Sequence, residues 1–299
     1  MLQNQLVEQE LLKLSIPFYT IMILAEILIS NWQGKQWYSV KDTLYNLYLT
    51  TLNAGLDFGL RLLFVGSFMT WVYQYRLMEI HNPTYYWLTL LILEDFLFYW
   101  LHRMEHYSRF FWAVHVTHHS SDYFNLTTGF RSSVLQPIYR FLFFIPLCLL
   151  GFKMLDIALM FAMTQTYGIL VHTKYLNRIP IWEWIFVTPS HHRVHHASNV
   201  RYLDKNMGMM FIIWDRMFGT FSEELVEEPV QYGLHGKTGN QGLVEVIFHE
   251  WKGIWVDFFK TRKDLPLSIR LKYLFKAPGW SHDGSTKTAV QYRKEMGLK

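Results

Sequence analysis

The sequence predicts an all-α fold: a multi-pass membrane bundle of about four or five spanning helices, with a cytoplasmic helical cap that holds a histidine-rich dimetal site. Three observations predict it. The 299 residues are 51% hydrophobic and only 17% charged, against roughly 25% charged for soluble domains. Apolar stretches near the roughly 20 residues that a bilayer core about 30 Å thick demands recur between Ile16 and Val171. Eight histidines gather in three tight clusters where those stretches end: His102/His106, His115/His118/His119 and His192/His195/His196.

Taken in order, Met1 to Leu14 carries Glu8 and Glu10 against Lys13. That is the opposite of the positive region a cleaved signal peptide needs, so the first apolar segment is expected to be retained. The stretches Ile16 to Ile29, Ala54 to Tyr73 and Tyr85 to Leu101 include Glu26, Asp57 with Arg61, and Glu94 with Asp95. Charges at such depths are expected to face a protein interior. Val134 to Leu150 and Met154 to Val171 are parted only by Gly151-Phe152-Lys153, which reads as a helical hairpin. Its outer ends return to the side that receives His102, so all three clusters can meet at one face without threading polar backbone through lipid. Lys35, Lys41, Arg103, Arg109 and Arg131 on that face, against Arg76 and Lys153 opposite, make it cytoplasmic. The membrane would be a bacterial inner membrane, or the endoplasmic reticulum in a eukaryote.

After His172 the chain turns polar, and Pro180 and Pro189 break it before the last cluster. One domain over 1–299 is expected, with residues 12–172 supplying the transmembrane helices and first two clusters, and 173–299 the cap and tail. Leu243, Val246, Ile247, Trp251, Ile254, Trp255 and Phe258 recur at helical spacing, for a helix on the membrane surface or beneath the cap. The net charge of +4, without a basic run, speaks against nucleic acid as a partner. The lone Cys148 lies in an apolar run, so neither disulfides nor thiolates organise the fold. The sequon Asn125-Leu126-Thr127 falls between cytoplasmic clusters and reads as chance.

Side chains three or four apart on a helix share a face, so His102 with His106, and His115 with His118 and His119, are each expected to form a shelf of ligands. A six-coordinate ion with room for oxygen or water uses at most about five protein ligands, so eight imidazoles imply two ions, and imidazole suits iron, copper, nickel or zinc. His172, at the depth of His102, is a ninth candidate. His192, not His191, reproduces the His-x-x-His-His spacing of His115, which leaves His191 as an outer donor. Ligating imidazoles usually give their other N–H to a carboxylate or carbonyl. Candidates for that role are Asp95, two turns before His102, together with Asn125, Asp215 and Asp122. His81, His235, His249 and His282 are scattered and read as surface or core residues.

These residues also resemble the fatty acid hydroxylase superfamily of membrane di-iron oxygenases, whose three histidine boxes are matched by His102-Arg103-Met104-Glu105-His106, His115-Val116-Thr117-His118-His119 and His192-Arg193-Val194-His195-His196. Flanking text agrees at Asp95 to Tyr99, Asn125 to Gln136, Asp204-Lys205-Asn206 and Trp214 to Thr220. The run from His115 to Gln136 resembles the alkylglycerol monooxygenase branch and bacterial sterol desaturase-like proteins, although Tyr107 follows His106 where that branch has a glutamate. The resemblance implies two iron ions on the eight histidines and O2-dependent hydroxylation or desaturation of a lipid C–H bond, in an ether lipid, fatty acyl or sterol-like substrate. Electrons would come from a separate reductase or from tetrahydrobiopterin. Two other classes fit a histidine-rich membrane chain, a metal transporter and a zinc-dependent lipid hydrolase. Transport sites normally lie near the bilayer midplane, and zinc sites need only three or four ligands.

Overall fold

Pro83 in the first helical turn, and the Asn82 side chain accepting from the amides of Thr84 and Tyr85, start the helix around which the rest is arranged. The computed structural model describes residues 2–236 and 242–298, with side chains from Pro17 onward. Glu8, Glu10 and Lys13, on which the expectation about a leader rests, lie outside the described side chains. The helices are α1 (Leu2–Trp32), α2 (Val40–Tyr73), α3 (Pro83–Tyr107), α4 (Arg109–His119), α5 (Pro137–Leu149), α6 (Met154–Leu170), α7 (Pro189–His195), α8 (Ile213–Phe218), α9 (Glu245–Val256), α10 (Leu267–Phe275) and α11 (Ala289–Glu295). Among the described residues there is no strand, only one isolated bridge between Phe186 and Phe211.

All five apolar stretches are helical, and the expected hairpin is α5–α6. Its turn uses Gly151 at φ +94, where a Cβ would press 2.3 Å from the Met78 carbonyl. Among the described residues one helix, α2, is long and apolar enough to cross a membrane, where four or five were expected; Pro17–Trp32, α5 and α6 are shorter apolar helices. The 13 residues of α5 rise only about 20 Å. Part of the expected stretch, Val134 to Gln136, lies ahead of α5 and carries Gln136 to Glu105 instead.

The main core lies between α2, α3, α5 and α6, where Val65, Met69, Leu90, Phe98, Leu101, Phe144, Leu147 and Phe161 are buried together. The charges within the apolar stretches turn inward, as their desolvation cost requires. Glu26 accepts from Thr173 Oγ1 at 2.6 Å and Leu126 N at 3.0 Å, Asp57 pairs with Arg61 and Arg140, and Glu94 accepts from Thr164 Oγ1. In α9, Val246, Ile247 and Ile254 are buried while Phe248 and Trp255 are exposed. The helix is therefore apolar on both sides, and Arg109 fixes it to α4 through Glu250 and Asp257.

Candidate metal centre

α3 ends at Tyr107 and α4 begins two residues later, so the first two clusters sit on either side of one corner. α7 brings the third cluster against them, and α6 ends beside it at His172. The ligand atoms of nine imidazoles fall into two groups, each with all its atoms within 4.8 Å of one another: His102, His106, His115, His119 and His195; and His118, His172, His192 and His196. His118 is half-buried and the other eight are buried. Each group could hold one metal ion.

The groups cut across the chain clusters. His115 and His119 join one group while His118 joins the other, and His195 is parted from His192 and His196. The shelf expected of His102 and His106 holds, whereas the one expected of each of the other two clusters is corrected. Neighbouring helical residues point about 100° apart, whereas residues four apart nearly coincide. His102/His106, His115/His119 and His192/His196 are the pairs that stay together.

Most of the imidazoles have their outward nitrogen fixed by an acceptor. His102 Nδ1 is 2.8 Å from the Met207 carbonyl, His195 Nδ1 3.0 Å from that of Lys205, His118 Nδ1 2.9 Å from that of Arg131, and His172 Nδ1 2.7 Å from that of Gly168. His106 Nδ1 faces Asp204 Oδ1 at 3.3 Å and His115 Nδ1 faces Glu105 Oε2 at 3.1 Å. Carbonyls and carboxylates only accept, so in His102, His106, His118, His172 and His195 Nδ1 carries the hydrogen and Nε2 is a bare lone pair. Burial, reinforced in most of them by the neighbouring imidazoles, holds His115, His119, His172, His192, His195 and His196 well below the usual histidine range, and burial brings His118 to about 4. The rings are neutral at pH 7.

His102 Nε2 and His115 Nε2 stand 3.0 Å apart, and His106 Nε2 and His195 Nε2 are buried beside them with no hydrogen-bond partner. Such an arrangement is costly by itself and becomes favourable around a cation. The donor set therefore fits metal ions of the kind that imidazole binds.

Behind the five-histidine group runs one loop, Asp204 to Gly208, in which Asp204 and Asn206 adopt φ of +55 and +54. That left-handed backbone, tolerated by Asp and Asn better than by most residues, lets Asp204, Lys205 and Met207 present acceptors to three different imidazoles. Asn206 secures the loop by donating to the carbonyls of His191 and Ser222 and accepting from Ser222 N.

The residues expected to back the imidazoles act differently. Asp95 accepts from Met210 N, Phe211 N and Trp214 Nε1; seven residues along a helix is about 10 Å, too far for contact with His102. Asp215 accepts from Met207 N, Gly208 N and Thr220 Oγ1, so it reaches His102 only through the Met207 peptide. Asn125 braces its own loop, accepting from Thr127 and Thr128 amides and donating to the Trp37 carbonyl. His191 Nδ1 accepts from Thr188 N at the start of α7, and the ring packs on Phe221. Sequence reasoning missed Glu105 and Asp204. Glu105 had a signal, an acid inside a histidine box three residues after His102, on the same helix face.

A cavity of about 450 Å³ opens onto His106, His119, His195 and His196 and is walled by Trp112 and Tyr292 among others. A smaller one of about 90 Å³ reaches His102, His115, His118, His172 and His192 from the side of Gln165 and Ser133. The imidazoles stand between the two.

The fatty acid hydroxylase family model matches residues 87–220, the span that carries all nine histidines. The chain is 36% identical over 276 residues to alkylglycerol monooxygenase of Xenopus tropicalis and 35% over 277 residues to that of Homo sapiens, in each case 90% of this chain and 59% of the relative. It is 29% identical over 157 residues to an ornithine lipid hydroxylase of Rhizobium tropici, 52% of this chain and 47% of the relative. The chain thus spans less than two thirds of the length of these relatives. No solved structure matches it. Residues 87–220, with all three boxes, thus resemble the fatty acid hydroxylase family, and 90% of the chain is similar to alkylglycerol monooxygenases.

Proposed function

We propose that this chain is a membrane-bound non-haem di-iron monooxygenase that hydroxylates a lipid C–H bond in an O2-dependent reaction. The observation that carries the reading is the division of nine imidazoles into a group of five and a group of four, with Nε2 atoms converging. His102, His106, His115, His119 and His195 would hold one iron, and His118, His172, His192 and His196 the other. Bound iron supplies the activation of dioxygen that no side chain can provide.

The protein's own part is to keep Nε2 of His102, His106, His118, His172 and His195 free of hydrogen, through the acceptors on Nδ1, and to shield the site from water. The 450 Å³ cavity against His106 and His195 is within the range of small-molecule sites, and it would seat the reacting segment of the lipid. The relatives named alkylglycerol monooxygenase and ornithine lipid hydroxylase support a lipid substrate, whether ether lipid, fatty acyl or sterol-like; desaturation would need nearly the same site. The helices would form a multi-pass bundle, with residues 173–299 as a cap on the cytoplasmic side. Electrons would come from a separate reductase or tetrahydrobiopterin.

The test is iron analysis of the purified chain, with mass spectrometry of lipids from cells with and without it. Two irons per chain and a lipid gaining one oxygen, only in air, are expected. Metal-dependent flux without oxygen uptake would support a transporter instead, and anaerobic turnover a zinc hydrolase.

A further inference from the structure

Of the two carboxylates that face the nine imidazoles, the Asp204 side chain keeps 18% of its exposure while that of Glu105 keeps none. Glu105 Oε1 accepts from Tyr139 OH at 2.6 Å and Gln136 Nε2 at 2.9 Å, both neutral donors. Its Oε2 makes no hydrogen bond and lies 3.1 Å from His115 Nδ1. Among the described residues no lysine or arginine lies within ion-pair distance; the more distant Arg140 is paired with Asp57. An ionised carboxylate buried this completely costs several kcal/mol unless a positive charge answers it. A cation across the His115 ring, at Nε2, where the five-histidine group converges, would supply a closer charge than Arg140. In the four-histidine group, His118 and His172 rest on backbone carbonyls instead.

We infer that Glu105 is the built-in counter-charge of the five-histidine group: acting through His115, it tightens the hold on that group's ion and favours its ferric state, leaving the four-histidine group the weaker and more easily reduced. A carboxylate on Nδ1 raises the electron density that the imidazole offers at Nε2, whereas a peptide carbonyl, being uncharged, does so less. Glu105 is in this sense a positioning residue. The inference rests on the reading of the nine histidines as iron ligands.

The experiment uses the purified full chain loaded with 57Fe, as wild type, Glu105→Gln and Ser133→Ala. Ser133 is the other neighbour of His115 Nδ1, at 3.4 Å. Iron per chain is followed during dialysis against EDTA, Mössbauer spectra are recorded before it, and thermal unfolding is measured on metal-free protein. Glu105→Gln is expected to lose one of its two irons about 10–100-fold faster and to change one of two iron components in the spectrum. Its metal-free unfolding should match wild type, and Ser133→Ala, which removes an uncharged neighbour of His115 Nδ1, should lose iron more slowly than Glu105→Gln.

Unchanged iron loss, or a metal-free unfolding temperature that falls as far as the loaded one, overturns the inference and makes Glu105 structural. If Glu105→Gln does not accumulate, Tyr139→Phe removes a donor from Oε1 and leaves the charge. Iron loss no faster than wild type then supports the counter-charge, and faster loss overturns it. Wild-type protein that takes up no iron overturns the ligand reading itself, a separate failure.

Discussion

The carbonyl of Met207 accepts the Nδ1 hydrogen of His102 across 2.8 Å, joining residues that are 105 apart in sequence. The Met207 peptide is itself held from the other side, because Asp215 Oδ1 accepts from its amide at 2.6 Å. The orientation of one imidazole on α3 is thus fixed by a carboxylate on α8 that never touches it.

Asp215→Ala strands the amides of Met207 and Gly208 and the Thr220 hydroxyl. A loss of roughly 2–4 kcal/mol is expected, from about 1–3 kcal/mol for each buried group left unpaired, partly recovered by water. Thermal unfolding and iron content should fall together, and an unfolding midpoint like that of wild type would contradict the assignment.

His118→Ala and His195→Ala remove one member each from different groups. Each is expected to lower bound iron from two per chain towards one and to abolish oxygen-dependent lipid oxidation. Metal analysis and oxygen uptake on the same preparation check this, and full activity in either variant refutes the corresponding ligand.

His172→Ala should lower iron content as much as His118→Ala does, because both belong to the four-histidine group. His191→Ala should leave iron content unchanged and cost about 1 kcal/mol through the start of α7. Equal iron loss in the two variants would show that the distinction between His172 and His191 is wrong.

Asn206→Asp keeps the oxygen that accepts from Ser222 N but turns a second one towards the carbonyls of His191 and Ser222. Repulsion there should loosen the 204–208 loop. Faster amide exchange in that loop and weaker iron retention are expected; an unchanged exchange rate would sink the idea.

Chelation itself should be felt locally. Without a cation, His106 Nε2 and His195 Nε2 stay buried and unpaired, so amide exchange should rise in α7 and residues 204–208 more than in the α5–α6 hairpin. Hydrogen exchange with and without EDTA measures the difference.

Much of this was legible in the sequence, because helical periodicity and clustered histidines are local signals. The five apolar helices, the turn at Gly151 and all nine grouped histidines, His172 included, were readable in that way. The 5-and-4 division was not, since it depends on which way α4 and α7 are rolled against α3 and α6, and His118 and His119 are adjacent letters that face different neighbours. The acceptors behind the imidazoles were hidden for another reason. Several are peptide carbonyls, at Arg131, Gly168, Lys205 and Met207, and a carbonyl belongs to every residue alike. Asp95 and Asp215 stood out as buried acids, but their work is done on the backbone of 207–211.

Because each group takes at least one member from the pair His195 and His196, neither is complete until the ribosome has delivered that pair, nearly two thirds of the way along the 299 residues. On the proposed reading the apolar helices would be in place before the basket of imidazoles can close, and metal would enter late in maturation.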